Sequence, residues 1–324
     1  MQAFFAEGEA FSAKSSACVR EGKESGSMSL HKPCVFRGIA TALITPFRDG
    51  EIDYGALAAL IERQIEAGVD ALLVAGTTGE SATLTEGEHE ALVAFSKAHI
   101  AGRVPLIAGC GSNSTRHACR LAENASRAGA DALLAVTPYY NKASDRGLLL
   151  HFREIVKATD RPLILYNVPS RTGFHLTMEL YRALAEEERI VGVKEASGDL
   201  GLLEQLVAEC GRDYDVYTGN DALLVAAMKL GASGGIAVAS NVMPKEMEEL
   251  YRLCAAGEYG AAERKRAELS PTVEALFREV NPIPVKYAAF LQGLCRAEYR
   301  LPLCPPSPEL ARHLRKLFPQ SAEG

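Results

Sequence analysis

The sequence contains no apolar run approaching the ~20 residues that a helix needs to cross a bilayer, so a membrane-spanning helix is not expected. It also has no excess of positive charge. Against 41 Asp+Glu there are 35 Lys+Arg, a formal net charge of -6, which leaves no broad basic face for nucleic acid or anionic membrane. The eight cysteines (Cys18, Cys34, Cys110, Cys119, Cys210, Cys254, Cys295 and Cys304) are scattered and include no CxxC pair. With no secretory context beside them, they read as reduced, mostly buried thiols of a cytoplasmic protein rather than as a disulfide framework. Nor do the seven histidines (His31, His89, His99, His117, His151, His175 and His313) show ligand spacing, so no metal site is expected and metal-dependent chemistry is disfavoured. Residues 1–30 lack both the apolar core of a signal peptide and the acid-poor character of a transit peptide. They are read as a disordered extension, with residues 1–27 dispensable and Met28 the initiator that this reading favours.

What is present is an alternation. At 324 residues, with 48% hydrophobic and 23% charged residues, the chain can bury one large core. From Gly38 onward, short apolar runs alternate with segments of helical period, the signature of βα units around a parallel sheet. The expected strands are Ile39 to Pro46, Ala71 to Gly76, Pro105 to Cys110, Ala132 to Thr137, Pro162 to Val168, Val191 to Ala196, Asp215 to Gly219 and Gly235 to Ser240. Amphipathic segments such as Tyr54 to Glu66, Glu86 to His99, Thr115 to Arg127 and Gly147 to Ala158 lie between them. Three phrases, AGVDALLVAG, AGADALLAVT and GASGGIAVAS, repeat one junction in which a glycine ends a helix and feeds the next strand. Eight strands, and no GxGxxG after the first, favour a closed (β/α)₈ TIM barrel over a doubly wound open sheet. After Ser240 the pattern is wholly helical to about residue 318. The division expected is a barrel over 36–258 and a C-terminal helical extension over 259–324.

In such a barrel the chemistry sits at the C-terminal ends of the strands, where polar residues are the informative ones. Thr77 and Thr78 follow the second strand, Tyr139 and Tyr140 the fourth, Tyr166 and Arg171 the fifth, and Gly219 the seventh; Lys194 and Glu195 lie within the sixth. Alternation along Val191-Gly192-Val193-Lys194 aims the Lys194 side chain at the barrel axis, where burial would lower its pKa and make it an amine nucleophile. The bland alternative is a structural lysine paired with Glu195. Tyr166 and Tyr140 present phenols able to relay protons, or simply amphipathic packing residues. The Gly76-Thr77-Thr78-Gly79-Glu80 turn offers amides and hydroxyls to a carboxylate, or is a plain capped loop.

GTTGESATL from Gly76, VTPYYN from Val136, LYNVPSRTG from Leu165, VGVKEASG from Val191 and NPIPVK from Asn281 resemble, in this order, the pyruvate-dependent class I aldolase superfamily. Within it they look like the 4-hydroxy-tetrahydrodipicolinate synthase family, over about Gly38 to Pro302. The resemblance implies that Lys194 forms an imine with pyruvate, with no separate cofactor, and that the enamine attacks L-aspartate 4-semialdehyde. This would be a lyase at the first committed step of diaminopimelate and lysine biosynthesis. It implies a proton relay of Tyr166, Thr77 and Tyr140, the last reaching across from a neighbouring subunit of a homotetramer built as a dimer of dimers. Thr78 would hold the pyruvate carboxylate, Arg171 the carboxylate of the aldehyde, and Gly219 and Ile236 would line the pyruvate pocket. Sibling lyases acting on N-acetylneuraminate or 2-keto-3-deoxy sugar acids share the lysine and tyrosine. Arg171 favours a carboxylate substrate over a polyol. A non-catalytic keto-acid-binding barrel would have no use for Tyr166. The family's effector site for lysine would fall at Ser81, Ala82, Glu86, His89, Asn113, His117 and Tyr139. His117 stands where sensitive relatives carry a glutamate and Glu86 where many carry a histidine, so weak feedback is expected.

Overall fold

The computed structural model describes residues 32–319; the expectations for residues 1–30, for Met28 and for the last residues of the chain lie outside that range. Ten strands are formed: β1 (Gly38–Ala42), β2 (Phe47–Arg48), β3 (Glu51–Ile52), β4 (Ala71–Val74), β5 (Leu106–Gly109), β6 (Ala132–Val136), β7 (Leu163–Asn167), β8 (Ile190–Glu195), β9 (Asp215–Thr218) and β10 (Gly234–Ala237). Eight of them close into a parallel barrel in the order β1-β10-β9-β8-β7-β6-β5-β4, so neighbours in sequence are neighbours in space. This is the (β/α)₈ barrel with C-terminal helices that the eight apolar runs predict. Among the described residues no helix is long and apolar enough to cross a membrane.

The helices begin where the sequence supplies acceptors for their orphan amides. Asp53 caps Tyr54–Glu66, Ser114 caps Thr115–Arg127 and Ser144 caps Asp145–Lys157. Thr85 and Glu88 form a reciprocal capping box on Glu86–Ile100. At the repeated junctions Gly68, Gly129 and Gly231 have φ of 87°, 98° and 95°, the left-handed turn that their phrases require.

Two apolar shells result. The larger lies between barrel and helices; the smaller fills the barrel axis with Ala40, Leu73, Leu134, Ile164, Tyr166, Tyr217 and Ile236 among others. The chain preceding β1 closes the barrel floor. Phe36 stacks on Tyr217 with centroids 4.2 Å apart and planes 8° from parallel, and the Tyr217 hydroxyl donates to the Phe36 carbonyl at 2.7 Å.

Three expectations need correction. The first strand ends at Ala42 rather than Pro46, and the residues after it instead enter the two-residue hairpin β2-β3. The region after Ser240 is not wholly helical. The helices Pro244–Ala255, Tyr259–Leu276, Ile283–Leu291 and Pro308–Leu317 are separated by 256–258, 277–282 and 292–307, and in the last two Pro282, Pro302, Pro305 and Pro306 cannot supply helix amides. Finally, Cys34 is disulfide-bonded, whereas Cys110, Cys119, Cys210, Cys254, Cys295 and Cys304 are the free thiols expected.

One titratable cluster sits at the floor. Asp70 Oδ2 accepts from the Ile39 amide at 2.9 Å and so ties β4 to β1. Glu248, on Pro244–Ala255, is pushed up to about 7 by burial and then by the Asp70 charge, against the pull of Arg252 at 2.7 Å. Its folded pKa lies above the unfolded one, so its contribution is fully present below the unfolded pKa and is lost as pH rises through about 7. Glu248→Gln should therefore reduce the stability lost between pH 5 and pH 8 by about 1–3 kcal/mol. Thermal melts at both pH values check this, and an unchanged pH dependence contradicts it.

Candidate functional site

The axis of the barrel is where the polar strand ends converge. Lys194 pairs in register with Tyr166 on β7 and with Tyr217 on β9, and its ammonium lies 4.5 Å from the centroid of the Tyr166 ring. Gly219 leaves room for Lys194 itself, and Gly192 leaves room for the neighbouring Tyr217 ring. A Cβ at Gly192 would sit 3.2 Å from the Tyr217 ring, and one at Gly219 would sit 2.9 Å from Lys194 Cε and 2.6 Å from the Ala196 Cβ. Lys194 is only 5% exposed. Burial lowers its pKa to about 8; the Asp221 carboxylate opposes that shift and the Arg171 guanidinium adds to it. Roughly a tenth of the amine is then unprotonated at pH 7, against well under a thousandth for an ordinary lysine.

The alternative pairing with Glu195 is not what the fold builds. Alternation turns Glu195 away from the axis, where it accepts from Asn167 Nδ2 at 2.9 Å, the Tyr181 hydroxyl at 3.0 Å and the Ser197 amide at 2.7 Å. The buried carboxylate anchors the outside of β7 and β8 behind the lysine.

Tyr166 is buried beside Lys194. Desolvation pushes its phenol above the ordinary value, while Arg171 and the adjoining Thr77 hydroxyl pull it down. Thr78 is buried, and its Oγ accepts from Asn281 Nδ2 at 3.0 Å. That bond leaves the hydroxyl proton of Thr78 free to donate. Arg171 follows β7 and donates from Nη2 to the Asn281 carbonyl at 2.9 Å. Ile236, fully buried on β10, packs in the axial cluster with Tyr166. Lys194, Tyr166, Thr77, Arg171, Gly219 and Ile236 thus gather at one end of the barrel. Tyr140 does not join them: it is 93% exposed with φ 71°, a left-handed conformation that is costly for a bulky residue.

A cavity of about 410 Å³ adjoins this site, lined by Thr77, Arg171 and Asn281 on one side. Ser81, Ala82, His89, Asn113, His117 and Tyr139 line it on the other. Of the seven effector candidates only Glu86 stands outside the lining; it pairs with Arg120 at 3.0 Å and lies 3.9 Å from His117. Among the described residues no group of three or more His, Cys, Asp or Glu is placed to hold a metal ion.

Comparison with known proteins agrees with this geometry. Residues 35–321 match the dihydrodipicolinate synthetase family. The chain is 44% identical to the 4-hydroxy-tetrahydrodipicolinate synthase of Aquifex aeolicus over 88% of this chain and 97% of that one. The crystal structure of the A. aeolicus enzyme superposes with a TM-score of 0.86, covering 87% and 97% of the two chains. The chloride-inhibited dihydrodipicolinate synthase of Acinetobacter baumannii, solved with pyruvate, is 39% identical with a TM-score of 0.85 over 87% and 97%. A structure described as the first monomeric dihydrodipicolinate synthase variant is 40% identical with a TM-score of 0.86 over 88% and 97%.

The chain belongs to the dihydrodipicolinate synthetase family.

Three residues of this family member were not singled out by the sequence. Asp221 is fully buried; burial pushes it up to about 6 against the amides of Ala239 and Val238, which it accepts at 2.7 Å and 3.1 Å. It ties the loop after β9 to the loop after β10, and its charge faces Lys194. Asn281 and Lys286 carry the motif NPIPVK, but their partners, Thr78 and Glu80, lie about 200 residues earlier, as the separations of 203 and 206 positions record. A run of sequence gives no hint of such a pairing.

The depressed pKa of Lys194 can be tested without any substrate. Competitive labelling with trace acetic anhydride across pH should give a reactivity midpoint near 8 for Lys194, beside about 10.4 for surface lysines. A Lys194 midpoint above about 10 would mean that burial does not activate the amine.

Proposed function

We propose that the protein condenses pyruvate with L-aspartate 4-semialdehyde to give 4-hydroxy-tetrahydrodipicolinate, at the entry to diaminopimelate and lysine biosynthesis. The observation that carries the reading is a lysine made nucleophilic by burial at the axis, between a phenol and two separate groups suited to carboxylates, Thr78 and Arg171. The neutral Lys194 amine adds to the keto carbon of pyruvate and expels water, forming an imine. The imine withdraws electrons, so a methyl proton leaves toward the Tyr166–Thr77 relay and an enamine forms. The enamine carbon attacks the aldehyde carbon, whose oxygen takes up a proton. The amine of the new product then displaces Lys194, closing the ring and freeing the enzyme. The lysine imine is the electron sink, and no further cofactor or metal enters the scheme.

Arg171 supports this reaction over those of the sibling lyases. Its guanidinium spends one donor on Asn281 and borders the cavity, where a forked contact suits the carboxylate of the semialdehyde better than a polyol chain. The reading places Tyr140 in the site of a neighbouring subunit. An aromatic residue that is 93% exposed in a left-handed conformation gains nothing within one chain, and a second copy would supply its burial. A dimer of dimers is the assembly proposed, and the monomeric variant among the similar structures makes this a property to be measured. A cytoplasmic location is proposed with this reading, since both substrates are small soluble metabolites.

The second cavity wall is the proposed effector site, with weak response to L-lysine. Glu86 is engaged by Arg120, and His117 cannot offer a carboxylate to the effector's ammonium. A missing charged hydrogen bond corresponds to roughly 1.5–3 kcal/mol, or one to two decades of affinity.

A coupled assay tests the reading. Turnover of pyruvate with aspartate semialdehyde should exceed cleavage of N-acetylneuraminate or 2-keto-3-deoxy sugar acids by about 100-fold or more. Arg171→Ala should raise KM for the semialdehyde about tenfold or more and leave pyruvate imine formation intact, as loss of a charged contact to one substrate alone requires. L-lysine should reach half-inhibition only at millimolar levels. Preference for a sugar acid, or an Arg171→Ala defect confined to pyruvate, would return the assignment to the siblings.

A further inference from the structure

We propose that Lys286, on the C-terminal helix Ile283–Leu291, is a positioning residue that fixes the turn presenting Thr77 and Thr78 by holding Glu80 beneath it. The inference rests on the reading of that turn as the pyruvate carboxylate site.

The turn is built around an unusual backbone. Glu80 has φ 56° and ψ 37°, a left-handed conformation that a residue with a long side chain rarely adopts. Its amide donates to the Thr77 carbonyl at 3.1 Å, and the neighbouring Ser81 amide donates to Gly76 at 3.3 Å. The orientation of Glu80 therefore sets the path of Thr77 and Thr78. A glycine would meet the backbone demand at no steric cost. The carboxylate must serve another purpose, and its contacts identify it. Glu80 Oε1 accepts from Lys286 Nζ at 2.5 Å, and Oε2 accepts from the Arg300 amide at 3.2 Å.

Both side chains of the ion pair are fully buried. The Lys286 ammonium lies 4.1 Å from the centroid of the Phe47 ring and 5.3 Å from that of Tyr299. Burial pulls the Lys286 pKa down and the Glu80 carboxylate pulls it back up. A buried pair regains little more than its desolvation cost, so stability alone is a weak reason for it. The same C-terminal segment reaches the site twice more. Asn281 Nδ2 holds the Thr78 oxygen, and the Asn281 carbonyl holds Arg171. From below, the Thr45 hydroxyl donates to the Gly79 carbonyl at 2.7 Å. Among the described residues Lys286 is the one charged side chain in ion-pair contact with the turn's own carboxylate, through the residue whose backbone is least favourable.

The test separates positioning from stability. Lys286→Met strands the Glu80 carboxylate and is expected to lower Tm, so the informative protein is Glu80→Gln with Lys286→Met, which removes both charges and keeps similar volume. In that double variant Tm should return to within a few degrees of the unmodified protein. KM for pyruvate should remain raised about tenfold and KM for the semialdehyde should stay within about twofold. Hydrogen exchange at the amides of Gly79, Glu80 and Ser81 should be at least about tenfold faster, without substrate. A folded double variant with unchanged exchange at these amides and an unchanged pyruvate KM would overturn the proposal. If the unmodified protein turns over no pyruvate, the aldolase reading fails separately, and the exchange measurement alone decides the role of Lys286.

Discussion

Desolvation of one ammonium group is the constraint on which the rest of this molecule depends. A lysine at a strand position facing the axis of a closed barrel has apolar neighbours above, below and beside it, and no water to hold its charge. Lys194 occupies such a position, and its pKa falls to about 8. The price in folding energy is limited because the group is not deeply isolated: the Tyr166 ring faces the ammonium and the Asp221 carboxylate returns part of the lost solvation. Gly219 leaves this side chain its space, since a Cβ there would lie 2.9 Å from Lys194 Cε, and Gly192 leaves space for the Asp215 carbonyl and the Tyr217 ring.

Around this amine the fold holds groups in two different ways. Tyr166 and Ile236 belong to strands and are fixed by the axial core. Thr77, Thr78 and Arg171 stand on connections after the strands and are held by residues from the far end of the chain, chiefly Asn281 and Lys286. The barrel alone does not complete the site: a C-terminal segment beyond the eighth strand secures the Thr77–Thr78 turn and Arg171. Tyr140 stands apart from this cluster, almost wholly exposed and in a left-handed conformation.

Much of this was legible from local patterns. Each barrel strand overlaps one apolar run, and the helices Tyr54–Glu66 and Thr115–Arg127 have the bounds read from periodicity. The inward direction of Lys194 followed from the period of two along β8. Local pattern failed where structure depends on distant partners. The hairpin β2-β3 is only two residues per strand and is secured by Glu298, which accepts from the Asp49 and Gly50 amides at 3.0 Å and 2.6 Å. The irregular stretch 292–307, where the sequence pattern suggests helix, holds Arg300 against Glu88, Thr83 and Gly50, partners more than 200 positions earlier in the chain. Asp221 resembles an ordinary loop acid until the fold buries it beneath two amides.

The central claim is that the buried Lys194 amine bonds covalently to pyruvate. Sodium borohydride added with pyruvate should inactivate the protein and leave one reduced pyruvate adduct per chain by intact mass, mapped by peptide digestion to Lys194 and absent from Lys194→Ala. An adduct on another lysine, or equal labelling of the Lys194→Ala protein, would contradict the account.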